Sequence, residues 1–178
     1  MESILTKEDI IRYLNLINTK LEELGKAGEV LLAGGASMAL VYSSRRSTHD
    51  IDAIFEPKSE IAKIASEIAE QNNLNEDWFN DGVKGFFNST MNSEVLIELS
   101  ALTVKTIDAE GLLAMKLASA RPETNDQEDA KVLMKHLEID KLENVYELLE
   151  KHIPSHRLTA QVDFFARYTF EAYQKDLK

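Results

Sequence analysis

The stretch GGASMALVYSSRRSTHDIDAIF, residues 34–55, decides the fold. It follows a short apolar run, EVLLA (29–33), and it ends in a second apolar run that carries two aspartates, Asp50 and Asp52. Short apolar runs bounded by glycine are typical of buried strands. The stretch therefore predicts a strand, a glycine turn that opens a helix, and a second strand with two acids in it.

The two aspartates occupy alternate positions of the second predicted strand. Since successive side chains of a strand point to opposite faces, Asp50 and Asp52 should share one face, and Ile51, Ala53 and Phe55 should face the core. Two close carboxylates repel each other unless a cation lies between them, and Mg²⁺ takes oxygen ligands, usually one or two carboxylates plus phosphates. The pair predicts a site for Mg²⁺ or Mn²⁺. A solvated strand face or a turn is the alternative interpretation.

The glycine turn has the features of a phosphate site. Gly34 and Gly35 let backbone N–H groups approach a phosphate, the helix N-terminus favours negative charge, and Ser37 adds a hydroxyl. Arg45 or Arg46 could neutralise the phosphate tail. A plain turn and two surface arginines are the alternative, and the sequence matches neither a P-loop nor a dinucleotide fingerprint. The order of turn and acids favours a site for a nucleoside triphosphate and its metal.

Composition and charge exclude several other classes of protein. The chain of 178 residues has a formal net charge of −11, which disfavours extended DNA binding because an acidic surface repels phosphate backbones. It has no cysteine, so disulfides, zinc–thiolate sites and a cysteine nucleophile are excluded, and a reducing cytosol fits. No secretory signal and no apolar run of about 20 residues is visible, so we expect a cytoplasmic protein without a membrane segment.

Apolar periodicity predicts strands between residues 29 and 107 and helices after 108. The runs at 94–99 and 102–107 read as two strands or as one bent strand. The predicted helices begin at Thr6, Ser59, Asp108, Asn125, Asp140 and Ser155. We predict an α+β fold with a mixed β-sheet flanked by helices, in which a core (1–109) and a helical C-terminal part (110–178) pack as one domain.

Three segments of the chain resemble a known group of enzymes. Residues 34–55, LNEDWFNDGVKGFF (74–87) and LLAMKLASARPETNDQEDAKVL (112–133) resemble the nucleotidyltransferase superfamily with the DNA polymerase β-like fold. They are most similar to a bacterial family of uncharacterised nucleotidyltransferases, which is related to abortive-infection toxin nucleotidyltransferases. The resemblance covers about residues 29–137, and it implies a nucleotidyltransferase-like sheet and a metal-dependent transfer reaction.

The resemblance also implies roles for individual residues. Gly34, Gly35 and Ser37 match the phosphate-binding turn, and Asp50 and Asp52 match the metal pair. Lys116 matches a catalytic lysine that would reach nucleotide phosphates. Asp126 and Asp129 match two acids of a later motif at the nucleotide site. The usual arginine before the first of these acids is Asn125 here, which reads better as a helix N-cap.

The superfamily also has a third metal carboxylate on a neighbouring strand. Glu98, in the run EVLIEL (94–99), is our candidate, because it would share a strand face with Glu94 while the apolar residues face the core. An exposed strand glutamate without a role is the alternative.

Two functions follow. The first is a metal-dependent nucleotidyltransferase that transfers a nucleotide from a nucleoside triphosphate to an RNA end or a protein, in a toxin–antitoxin setting. The second is a catalytically weak or inactive module with the same fold, which binds a nucleotide or a protein partner. A homodimer is compatible with both functions, since the last helix has apolar positions on more than one face.

Overall fold

The computed structural model describes residues 4–43, 47–121 and 125–177. The chain divides into two compact units. The first comprises Met1–Gly85 and Ser93–Ile107, and the second comprises Phe86–Asn92 and Asp108–Lys178. The chain thus leaves the first unit for residues 86–92 and returns to it for its last two strands.

The first unit is built on a mixed five-stranded sheet. Its elements, in chain order, are β1 (Leu5–Thr6), α1 (Lys7–Glu23), β2 (Gly28–Leu32), α2 (Gly34–Ser37), β3 (Ser47–Thr48), β4 (Ile51–Glu56), α3 (Lys58–Asn72), β5 (Phe79–Asn80), β6 (Ser93–Glu98) and β7 (Leu102–Ile107). The strand order is β5-β4-β2-β7-β6, and β1 pairs separately with β3. Strand β2 runs antiparallel to β4 and parallel to β7. The two predicted runs after residue 93 are separate antiparallel strands rather than one bent strand.

One face of the sheet is covered by α1 and α3. A Cβ atom added to Gly28 on β2 would lie 2.9 Å from Leu21 Cδ1 of α1 and 3.0 Å from Ile61 Cδ1 of α3. Helix α1 begins with the predicted capping box, in which Thr6 and Asp9 bond each other's backbone. Residues 51, 53 and 55 of β4 are buried on this face, as the alternation predicts.

Trp78 is part of the core of the first unit. Its side chain is fully buried, its Nε1 donates to the Ala65 carbonyl over 3.0 Å, and its ring meets Tyr13 edge-on at 4.9 Å. It therefore anchors the segment that leads into β5.

The second unit consists mainly of four helices. They are α4 (Ala109–Ser119), α5 (Asp126–His136), α6 (Leu142–His152) and α7 (Ala160–Asp176). The predicted α+β class is confirmed, with strands before 108 and helices after it. Within the described ranges, no helix has both the length and the apolarity that a membrane crossing requires.

Several predicted helix starts need correction. Helix α3 has Pro57 rather than Ser59 at its N-cap, and α6 begins after Lys141 rather than Asp140. Ser155 begins a single 3₁₀ turn, and α7 is capped by Thr159, whose hydroxyl accepts from the Val162 N–H. Pro57 and Lys141 make no side-chain capping bond, so these two helix starts are not marked by the polar side chains that the sequence offers.

Candidate functional site

The glycine turn and Asp52 lie against each other. Gly34 follows β2 with a φ of +55°, a left-handed conformation that favours glycine. A Cβ atom at this position would lie 2.6 Å from Asp52 Oδ2. The N–H of Ala33 also donates to the Asp52 carbonyl over 2.9 Å. Only glycine fits here without displacing the carboxylate, so the structure brings the turn and this acid together.

The helix that follows the turn is short, and its hydrogen-bonding pattern changes from α-helical to π-helical. Helix α2 (Gly34–Ser37) continues as a π-helical turn over Met38–Tyr42. Since the first N–H groups of a helix have no partner inside it, the backbone at Gly34 and Gly35 supplies donors at this point.

Ser37 does not contribute as the sequence predicted. Its side chain is fully buried, and its Oγ accepts a hydrogen bond from Thr106 Oγ1 on β7 over 3.0 Å. The hydroxyl therefore joins α2 to the sheet instead of facing solvent, where a phosphate would have to bind. The backbone N–H groups of the turn remain as the predicted phosphate donors.

Asp50 and Asp52 are not equivalent in the structure. Strand β4 begins at Ile51, so Asp52 lies in the strand, and Asp50 lies in the bend before it. Both side chains are partly exposed, whereas Ile51 between them is buried. The pair thus projects from the sheet face opposite α1 and α3.

Asn80 is a neighbour of this pair that sequence reasoning did not find. It lies on β5, which runs parallel to β4 and places Asn80 opposite Asp52. Its Nδ2 lies 3.4 Å from Asp50 Oδ2. In the sequence, Asn80-Asp81-Gly82 reads only as a turn, and no local pattern reveals which strand β5 joins.

Glu98 must be removed from the predicted metal site. It pairs with Thr103 on β7. Thr103 pairs with Glu29 on β2, which in turn pairs with Glu56 on β4. This row lies four residues beyond Asp52, about 13 Å along the strands, and β6 is three strands from β4, about 14 Å across the sheet. The register therefore places Glu98 at a different end of the sheet.

The donor set at the turn suits a hard divalent cation. The Asp52 carboxylate lies against a turn where only glycine leaves room, Asp50 lies two residues before it, and carboxylate oxygens suit Mg²⁺ or Mn²⁺. Across the described residues, no cluster of three or more histidine, aspartate or glutamate side chains could hold a metal alone. A cation held here would take its remaining ligands from phosphate oxygens and water.

In the second unit, Lys116 and the two acids of the later motif form a buried cluster. Lys116 Nζ lies 2.6 Å from Asp126 Oδ1 and 2.9 Å from Asp129 Oδ2, and all three side chains are at most 8% exposed. Arg121 Nε also donates to Asp126 Oδ2, over 3.0 Å. The sequence grouped these residues at a nucleotide site; in the structure the lysine ammonium is held by two carboxylates and ties α4 to α5.

The charge of the cluster is reflected in the pKa of Asp126. Burial by itself raises this pKa, but the Lys116 charge and its hydrogen bond, the Ser119 hydrogen bond and the Arg121 charge together hold it below its ordinary value. Asp126 is therefore ionised at neutral pH and balances the buried lysine.

The sequence also predicted phosphate contacts for Arg45 or Arg46 and an N-cap at Asn125. Arg45 and Arg46 lie outside the described residues. Asn125 occupies the N-cap position of α5, but its side chain makes no capping hydrogen bond. The predicted N-cap is therefore not formed by the Asn125 side chain.

The chain was also compared with known proteins. No curated protein and no solved structure matched it. A model of the family described as nucleotidyltransferase of unknown function (DUF6036) matches residues 10–178. This match covers nearly the whole chain and confirms the resemblance to nucleotidyltransferases, with a fold whose mixed sheet is flanked by helices. The chain therefore belongs to this family of nucleotidyltransferases of unknown function.

Proposed function

We propose that the protein is a metal-dependent transferase that moves a nucleotide from a nucleoside triphosphate to an acceptor hydroxyl. Nucleotidyl transfer in general follows from the family; the metal, the site residues and the acceptor are our proposal. The observation that carries it is the contact between the glycine turn and Asp52, where a Cβ on Gly34 would lie 2.6 Å from the carboxylate. That contact supports the proposal, because it brings the backbone N–H groups of the turn next to one of the two carboxylates that would bind the metal.

Each residue of the site has a defined task in this reaction. Asp50 and Asp52 would hold Mg²⁺ or Mn²⁺, and the backbone N–H groups at Gly34 and Gly35 would orient the triphosphate. Such an ion neutralises phosphate charge and lowers the pKa of an attacking hydroxyl. The acceptor oxygen attacks the α-phosphorus in line, and pyrophosphate leaves. The protein contributes position and charge rather than a covalent intermediate.

The acceptor is proposed from charge and resemblance. A net charge of −11 disfavours a long nucleic acid, so we propose an RNA end or a protein side chain as the acceptor. The resemblance to abortive-infection toxin nucleotidyltransferases supports a toxin–antitoxin role in the cytoplasm, with a protein partner or a second copy of the chain. Arg45 and Arg46, which shortly precede the metal pair in the sequence, would neutralise the charge of the phosphates.

A second candidate function is a nucleotide-binding module without turnover. It is favoured by the register that removes Glu98 from the site and by the two carboxylates that hold Lys116. A site with two acids holds a metal less firmly than one with three. This module would bind a nucleotide and transmit its presence to a protein partner.

One experiment separates the two functions. The protein is incubated with each α-labelled nucleoside triphosphate, with RNA or with no added acceptor, and with Mg²⁺, Mn²⁺ or a chelator. We expect labelled product only with the metal and no product from Asp50→Asn/Asp52→Asn. Glu98→Gln, which removes one acid of the same sheet, is the matched control and should keep full activity. Metal-dependent nucleotide binding without any labelled product would select the binding module, and binding that is unchanged in excess chelator would refute the metal site.

A further inference from the structure

Strand β5, at the sheet edge next to the aspartate pair, is held in place by the protein core. Strand β5 is only two residues long, and the Ile51 N–H donates to the Trp78 carbonyl over 2.6 Å just before it. The indole of Trp78 is fully buried. In the parallel pairing that follows, Asn80 lies opposite Asp52 and faces the same side of the sheet. The buried Trp78 therefore fixes the position of the Asn80 backbone relative to Asp52.

The orientation of the Asn80 amide is fixed by its own turn. The Gly82 N–H, which can only donate, reaches Asn80 Oδ1 over 2.9 Å. The amide oxygen must therefore face Gly82, and the NH₂ group must face the other way. There it donates to the Asp77 carbonyl over 3.3 Å and to Asp50 Oδ2 over 3.4 Å.

Asp50 needs such a partner more than Asp52 does. Asp52 belongs to β4, where the ladder fixes its backbone, whereas Asp50 lies in the bend before the strand. A donor on one carboxylate oxygen limits the directions in which the other oxygen can point. Partners of this kind orient the carboxylates that bind metals.

We propose that Asn80 is a positioning residue of the candidate metal site, which holds the Asp50 carboxylate ready for a divalent cation. This inference rests on the proposed function, because it assigns the cation to Asp50 and Asp52. The site then contains two acids and one amide donor.

The test compares two changes at Asn80 and one change beside it. Asn80→Asp keeps an oxygen for the Gly82 N–H, and so keeps the turn, but it replaces the donor that faces Asp50 with a carboxylate. Asn80→Ala removes both groups. Asp81→Asn is the matched control, because it alters the same turn and its ion pair with Lys58 without touching Asp50.

Two quantities are measured. The first is the affinity for Mn²⁺ alone, monitored by electron paramagnetic resonance, and the second is the melting temperature in the presence of a chelator. We expect Asn80→Ala to weaken Mn²⁺ binding about tenfold, the lower end of what loss of a ligand's partner costs. We expect Asn80→Asp to melt several degrees lower than wild type in chelator and to bind Mn²⁺ more tightly, because a third carboxylate then faces the pair. Asp81→Asn should bind Mn²⁺ as wild type does.

Other outcomes overturn the proposal in distinguishable ways. If Asn80 is only a turn residue, Asn80→Ala will melt lower than wild type with unchanged Mn²⁺ affinity. If wild type binds no Mn²⁺, the proposed function fails with the inference. Mn²⁺ binding that is lost in Asp50→Asn/Asp52→Asn but keeps its wild-type affinity in Asn80→Ala overturns the inference alone.

Discussion

Replacing Lys116 with methionine tests whether the buried cluster is a structural element or a nucleotide site. Methionine keeps the length of the side chain and removes its charge, which leaves Asp126 and Asp129 facing each other at no more than 3% exposure. Removing one partner of a buried ion pair costs about 3–5 kcal/mol, because the buried carboxylates lose the lysine charge that offsets their desolvation. For a chain of this size, each kcal/mol lowers the melting temperature by about 2–4 °C. We therefore expect a decrease between about 6 and 20 °C.

Lys131→Met is the matched control. Lys131 also joins two acids, Glu128 and Asp176, from neighbouring positions on α5 and α7, but those acids are 69% and 60% exposed. Exposed pairs of this kind contribute about 0–1 kcal/mol, so this variant should melt within about 4 °C of wild type. The comparison holds the residue type and the number of partners constant and changes only burial.

The assay is thermal unfolding by circular dichroism at neutral pH, with nucleotide binding measured on the folded variants. Lys116→Met combined with Asp126→Asn and Asp129→Asn should recover at least half of the lost melting temperature, because the two buried carboxylates that Lys116 compensates are then neutral amides. A Lys116→Met protein that melts within 2 °C of wild type and no longer binds nucleotide would refute this reasoning. That result would indicate that Lys116 binds the nucleotide phosphates, as the resemblance implies.

Two further predictions concern the glycine turn and acid pH. Gly34→Ala should abolish metal-dependent nucleotide binding, because the new Cβ displaces the Asp52 carboxylate. Gly25→Ala is the control, since Gly25 has a similar φ of +62° and nothing lies within 4 Å of its added Cβ. This variant should lose only about 1–2 kcal/mol of stability and keep nucleotide binding. Equal binding loss in both would attribute the effect to strain. The pKa values of Asp126 and Glu110 are held below their ordinary 3.8 and 4.5, so their stabilisation is present above those values and is lost as pH falls through the lower folded-state pKa values. The melting temperature should therefore be flat from pH 7 to about 5 and fall below about 4.5, with a smaller fall in Asp126→Asn. An equally steep fall in that variant would contradict the assignment.

The features predicted correctly from sequence depend on neighbours along the chain. The capping box at Thr6 needs only Asp9, three residues on, and the burial of Ile51 between two acids follows from the alternation of a strand. The features that sequence reasoning missed depend on pairing between distant segments. Ser37 is engaged by Thr106, 69 residues later. The same limit applies to Asn80 and Glu98, since the register of β5 and β6 sets their places and nothing in either run specifies it.

The shortness of β5 has a consequence for the dynamics of the site. A two-residue strand at the edge of a sheet is held by few hydrogen bonds, and such edges open with a lower free energy than the whole protein needs to unfold. We expect the amide proton of Ile51 to exchange with solvent each time β5 detaches, and Asn80 to leave Asp50 in the same event. The burial of the Trp78 indole opposes this opening. A side chain that touches neither nucleotide nor metal would thus set the fraction of time for which the site is assembled.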